Sequence, residues 1–169
     1  MLDLERLEKI PLLQAAGWSR SRAGKLRQRM GCLDPRFPPQ VPPEAIFPAA
    51  WEIIDALEGT LIPNQCPELG LGGSCHAIEF DFLGYDDSVR RELTEMETTV
   101  GRRVILLGTG YDIAGDWLVD ETGAIWFRNR LAVGKLFPFS PDIYRFLEKD
   151  LFGCVDMDGK NIFSGRKML

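Results

Sequence analysis

Apolar residues recur every three to four positions in several stretches of the chain, which is the spacing of amphipathic helices. The clearest stripe consists of Val89, Leu93, Met96 and Val100, and it predicts a helix that ends at Gly101. Four other stretches show the same spacing over a shorter length and predict shorter helices. They cover residues 2–10 with a further turn at 12–16, residues 23–30, residues 51–58 and residues 140–151.

Two of these helices carry specific predictions about their polar residues. In the last helix, Ser140 is the predicted cap, Pro141 the first helical residue and Asp142 an acid near the positive helix end. In the helix at 51–58, Glu58 is predicted to face solvent with the other acids of that helix.

A period of two residues marks the predicted strands. Between residues 76 and 83, Ile78, Phe80 and Phe82 alternate with other residues, which predicts a half-buried strand. Three more strands are predicted from apolar runs at 103–107, 116–119 and 124–127. The last two flank a turn at 120–123, and a tight turn joins antiparallel strands. The chain is therefore predicted to form a single α+β domain over residues 1–169, with a mixed or antiparallel sheet packed against helices.

Two segments show neither period. Residues 35–48 contain six prolines and are predicted to form an ordered connector, with a polyproline ligand as the alternative. Residues 155–169 form a tail in which Asp156 and Asp158 are too few ligands for a calcium loop. We expect a turn or a short extra strand pair there.

The composition is that of an ordinary globular protein, with 45% hydrophobic and 27% charged residues among 169. No apolar run approaches the ~20 residues of a membrane span. The N-terminal sequence carries acids early and has no signal-peptide pattern. We therefore expect a cytoplasmic protein that does not bind membranes.

Charge is unevenly distributed along the chain, whose formal net charge is −5. Residues 1–36 hold eight basic residues and four acids, whereas residues 79–121 hold eleven acids and four basic residues. An acidic centre argues against direct binding of nucleic acid, which needs a basic surface. It suits a basic protein partner, although a solvated acidic face that keeps the protein soluble is an alternative.

The residue types that carry metal or acid–base chemistry are sparse and poorly spaced. Four cysteines occur without a close pair, and the single histidine, His76, adjoins Cys75 instead of standing at ligand spacing. Glu79 and Asp81 share one face of a predicted strand, where they are best interpreted as its polar side. We expect no metal, no cofactor and no catalytic residues.

The glycines of the stretch VILLGTGYDIAG invite comparison with a phosphate-binding loop. The dinucleotide fingerprint needs a glycine at its sixth position, where this chain has Ile113. A strand-like sequence follows Gly115, so the loop lacks the helix N-terminus that would bind a pyrophosphate. The glycines are therefore predicted to connect two strands, and a nucleotide-binding enzyme is the alternative.

Four motifs in consistent order resemble the SUKH superfamily of immunity proteins, its third family in particular. The first three are LQAAGWSRSR at 13–22, WEIIDALEGTL at 51–61 and GRRVILLGTGYDIAGDWLVDETGAIWF at 101–127. The fourth is the final helix, which runs into Phe152 and Gly153. Thr60 stands where the family tends to have a second glycine, and Leu107 replaces its usual proline. The resemblance covers about residues 12–153 and leaves 154–169 as a C-terminal tail.

This resemblance implies a bacterial protein without catalytic activity that neutralises a polymorphic or contact-delivered toxin by occluding its toxic domain. The implied toxin is a nuclease or a deaminase, whose nucleic-acid-handling surface would be basic. An alternative within the superfamily is a general protein-interaction scaffold. Acids predicted to lie on exposed strand edges and turns, together with two aromatic anchors, are the candidate partner-binding residues. They are Asp81, Asp86, Asp87, Tyr111, Asp112, Asp116, Trp117, Asp120 and Glu121. For Trp117, a place in the hydrophobic core is the alternative.

Overall fold

Six strands and six α-helices form the part of the protein that its structure, a computed structural model, describes. The described residues are 1–32, 43–63, 76–82, 87–110, 115–130 and 135–150. The elements are α1 (Leu4–Glu8), α2 (Pro11–Ala15), α3 (Leu26–Gly31), α4 (Pro48–Leu57), β1 (Thr60–Pro63), β2 (His76–Phe80), α5 (Asp87–Val100), β3 (Val104–Gly110), β4 (Gly115–Asp120), β5 (Ile125–Asn129), β6 (Leu136–Ser140) and α6 (Ile143–Arg145). Short 3₁₀ turns lie at Arg20–Arg22 and Pro43–Ala45, and α6 continues as a π-helical turn over Phe146–Asp150. In these ranges no helix has the length and the apolar character that crossing a membrane requires.

The six strands form one sheet in the order of the chain, and every neighbouring pair is antiparallel. This arrangement confirms the predicted α+β class. The predicted hairpin is confirmed as well, since Gly123 has a φ of 91° in the turn between β4 and β5. The sequence patterns missed the two edge strands, β1 and β6. Both are short and contain a proline, which a strand at a sheet edge tolerates but an interior strand does not.

One face of the sheet is covered by the helices α1 to α4 and by α6 with its π-helical continuation, and the larger hydrophobic core lies between them. At its centre Trp117 is fully buried, with ring centroids of Phe127, Phe139 and Phe146 at 4.8, 4.5 and 4.9 Å. Burial of so many large rings makes this face the main source of stability.

The opposite face is covered by α5, which packs on β3 and β6. Leu93 and Met96 of the predicted stripe lie against Val104, Leu106 and Leu118 in a second, smaller core. The unbroken apolar run at the start of β3 is explained by this arrangement, because alternate residues enter the two cores on opposite sides of the sheet.

The glycines after that run lie within the antiparallel ladder. Gly110 pairs with Gly115, so β3 and β4 form a hairpin whose connection at 111–114 is outside the described residues. A Cβ on Gly108 would lie 2.0 Å from the carbonyl oxygen of Glu79, and one on Gly115 would lie 2.1 Å from the Phe127 ring. These glycines therefore allow a neighbouring strand and a ring to approach closely, and the predicted strand-to-strand connection is confirmed.

Two predictions about polar residues were wrong. The cap of α6 is Asp142, whose Oδ1 accepts the Arg145 amide at 2.8 Å, while Ser140 belongs to the end of β6. Glu58 is buried at 7% exposure, and its Oε2 accepts the amide of Phe82 at 2.8 Å. The prediction failed because Glu58 lies just past the end of α4, where the helical period no longer determines which side a residue faces.

Candidate functional site

Three polar residues lie side by side across the sheet on the face that α5 covers. They are Thr109, Asp116 and Arg128, which lie directly opposite one another on β3, β4 and β5, and the apolar Leu136 of β6 continues the row. The row nearer the start of β3 on the same face is apolar and contains Leu106, Leu118 and Trp126. The α5 face is thus divided into an apolar half and a polar half.

Asp116 is the centre of the polar half, with 2% of its surface exposed. Its Oδ2 accepts from Nε of Arg128 at 2.9 Å and forms an ion-pair contact with a terminal nitrogen of the same residue, also at 2.9 Å. Its Oδ1 accepts from Nε of Arg130 at 2.8 Å and from a terminal nitrogen of the same guanidinium. Arg130 also donates to the Thr109 hydroxyl at 3.0 Å. Three hydrogen bonds and one further ion-pair contact engage both oxygens of this carboxylate, so Asp116 holds two guanidinium groups in place.

Helix α5 is joined to this network through Glu92. Its Oε2 accepts from the second terminal nitrogen of Arg128 at 2.6 Å, and its side chain stays 45% exposed. At the other end of the helix, Glu97 accepts the Val104 amide at 3.2 Å. These two contacts hold α5 along the sheet at both ends of its smaller core.

A cleft of about 480 Å³ lies between α5 and the ends of β5 and β6. The helix lines one side with residues at i, i+3, i+4 and i+7, which share one helical face. Among the described residues, the lining consists of Glu92, Glu95, Met96, Thr99, Arg128, Asn129, Arg130 and Leu136. The described part of the chain contains no group of three or more His, Cys, Asp or Glu side chains arranged to hold a metal ion. The charged and polar side chains that line the cleft suit it to binding a charged group.

Two predicted partner-binding residues on β4 are not accessible, which corrects the expectation that they lie on an exposed edge. Asp116 is enclosed by Arg128 and Arg130, because β4 is an interior strand covered on both faces. Trp117 points to the opposite face, where it is the centre of the main core. A residue at 0% exposure contacts a partner only if the core opens.

Asp120 is a third correction, since its side chain is fully buried in the β4–β5 turn. Its Oδ1 accepts from the amide and hydroxyl of Thr122 and from the Ala124 amide, at 2.9, 2.6 and 3.1 Å. Its Oδ2 accepts from Trp126 and from Arg102, both at 3.1 Å. Burial alone raises the pKa of this carboxyl, but the hydrogen bonds from Thr122, Trp126 and Ala124 outweigh it and place the pKa below the ordinary value. Asp120 therefore stabilises the hairpin.

The other predicted residues are distributed over the molecule. Glu121 is exposed at the β4–β5 turn, and Asp81 is half-buried just after β2. Asp87 is the first residue of α5, and its side chain is outside the described residues, as are Asp86, Tyr111 and Asp112 altogether. Asp116 and Glu121 lie toward opposite ends of β4, so the predicted acids do not form one cluster around Asp116.

The sequence patterns missed Arg128, Arg130 and, on α5, Glu92 and Glu95. A signal for the first was present, because the turn at 120–123 sets a register that places Asp116 opposite Arg128. No such signal existed for Glu92, whose position over the sheet depends on how the helix packs.

No protein-family model, no curated protein and no solved structure matches this chain. The resemblance to the SUKH superfamily therefore stays a prediction. The functional proposal rests on that resemblance together with the geometry of the α5 face.

Proposed function

We propose that this protein is a bacterial immunity protein that binds the toxic domain of a cognate toxin in the cytoplasm and blocks its active site without catalysis. The structural observation that supports this proposal concerns the α5 face. It is the more thinly covered face of the sheet, and exposed carboxylates border a cleft there.

The charges of this face favour a basic partner. Glu92 is 45% exposed and Glu95 is exposed beside the cleft, so these two carboxylates replace the buried Asp116 and Asp120 as candidates for contact on this face. Glu121, exposed at the β4–β5 turn, stays a further candidate. A nuclease or nucleic-acid deaminase carries a basic surface for its substrate, and a complementary acidic surface accelerates encounter and disfavours wrong partners.

A binding role also suits the chemistry of the cleft. The carboxylate oxygens of Asp116 are engaged by three hydrogen bonds and an ion-pair contact from two arginines, which leaves them poorly placed to accept a proton from a substrate. Arg128 is held by Asp116 and Glu92 together. A rigid, internally paired surface loses little conformational entropy on binding, which favours tight association with a protein.

The test in cells uses the protein whose gene lies immediately upstream of the gene for this chain. Its C-terminal domain is expressed in bacteria with and without this chain, and surviving colonies are counted. We expect the domain to kill and this chain to restore survival, with a one-to-one complex of the two purified proteins. A toxic domain that kills equally in the presence of the folded chain would contradict the proposal, and recovery of many unrelated proteins by the chain would favour a scaffold.

A further inference from the structure

The charged groups of the cleft and of the network beneath it do not cancel. Three carboxylates, Asp116, Glu92 and Glu95, face two guanidinium groups, Arg128 and Arg130. Asp116 binds both arginines, and Glu92 takes a remaining donor of Arg128. The exposed carboxylate of Glu95 forms no ion pair within the described ranges. Among the side chains that the structure describes, the cleft and this network together therefore hold one carboxylate in excess.

The shape and lining of the cleft indicate which cation would fit. Met96, at 6% exposure, and the half-buried Leu136 provide an apolar surface for an aliphatic stem. Glu95 and Thr99 follow on the same helical face at its rim. The Thr99 hydroxyl donates to the Glu95 carbonyl at 3.1 Å, which leaves its lone pairs available to accept.

We propose that this cleft receives an arginine side chain of the partner protein, with Glu95 as its ion-pair acceptor. This inference rests on the proposed function, because it names the group through which a basic toxin is recognised. A guanidinium presents five donors in a plane and meets the carboxylate of Glu95, the hydroxyl of Thr99 and a remaining lone pair of Glu92. The positive charges of Arg128 and Arg130 do not repel it strongly, since Asp116 and Glu92 together neutralise them.

The test uses N-acetyl-arginine amide as a probe and the methyl signal of Met96 in the NMR spectrum as the reporter, assigned with Met96→Leu. We expect a saturable shift with a dissociation constant on the order of millimolar, as suits one ion pair with an apolar stem. The citrulline analogue, which has the same length without the charge, should give no saturable shift.

The deciding variant is Glu95→Gln, which keeps the size of the side chain and removes its charge. We expect it to weaken binding of the probe by about fivefold or more. Its control is Glu44→Gln, which changes an exposed acid outside the cleft and should bind the probe as tightly as the wild-type protein does. No shift in the original chain, or equal binding by Glu95→Gln, would overturn the proposal.

Failure of this inference is separable from failure of the proposed function. If the chain restores survival but the probe does not bind through Glu95, the immunity function stands and recognition occurs elsewhere. If the probe binds through Glu95 but the chain protects against no toxic domain, the arginine site stands and the immunity proposal fails.

Discussion

The two faces of the sheet are built from different chemistry. On the face covered by α1 to α4 and α6, apolar side chains fill the space, and Asp55 accepts the amide of Leu26, the first residue of α3, at 2.7 Å. On the α5 face a small apolar core is followed by a row of charges paired across strands. Buried ion pairs contribute less to stability than well-packed apolar residues of similar volume, because both charges lose their hydration.

This difference indicates a division of roles between the faces. The helix-rich face supplies the free energy of folding, while the α5 face holds charged groups in fixed positions beside a cleft. Because burying these charges costs free energy of hydration, they are most useful where a partner protein contacts them. The following predictions test whether the two faces differ in this way.

The largest expected effect compares one leucine from each core. Leu57→Ala, in the larger core, should lower the free energy of unfolding by about 4 kcal/mol, because the enclosed cavity cannot collapse. Leu106→Ala, beneath α5, should cost about 2 kcal/mol, since α5 can move to close the gap. Urea unfolding measures both values. Equal losses would contradict the difference between the faces.

We expect Asp116→Asn to lower the free energy of unfolding by about 3 kcal/mol, because two guanidinium groups keep their charge while the carboxylate that they share loses its own. Urea unfolding again provides the measurement. The matched control is Glu121→Gln, an exposed acid on the next turn, for which the change should stay within about 0.5 kcal/mol. If both variants were equally stable, the network would not hold the polar half together.

We expect Asp120→Asn to lower the free energy of unfolding by less, about 2 kcal/mol, because the amide keeps one acceptor but loses charge-assisted bonds within a local turn. The contribution of Asp120 to stability also depends on pH. The pKa of Asp120 is lowered in the folded state below the ordinary value of 3.8, so its contribution is complete above the unfolded pKa and is lost as the pH falls through the folded pKa.

Between neutral pH and about pH 3, we therefore expect the free energy of unfolding to fall less in Asp120→Asn than in the wild-type protein. The Glu121→Gln variant should keep the original pH dependence. An unchanged slope in Asp120→Asn would mean that the turn does not depend on this carboxylate.

Much of the fold could be predicted from the sequence, because its signals are local. The stripe of α5 and the turn before β5 are set by neighbouring residues, and both were found. The proline-containing edge strands were missed, since β6 carries Pro138 in place of an alternating pattern. Only pairing with β5 makes that segment a strand.

The candidate site was harder to predict than the fold. Asp116 and Asp120 look like surface acids in an acidic stretch until strand pairing places Arg128 and the turn amides beside them. Burial of a charge depends on partners distant in the chain, which composition does not reveal. The contribution of Glu95 depends on how α5 lies against β5 and β6, a tertiary feature that residue periodicity does not determine.

The most direct test of the central claim, that the α5 face binds a basic toxin, is the association rate with the toxic domain at low and high salt. For the double variant Glu92→Gln with Glu95→Gln, we expect association about tenfold slower at low salt and a weaker dependence on salt. Glu44→Gln should associate at the original rate. An unchanged rate and salt dependence in the double variant would contradict the claim.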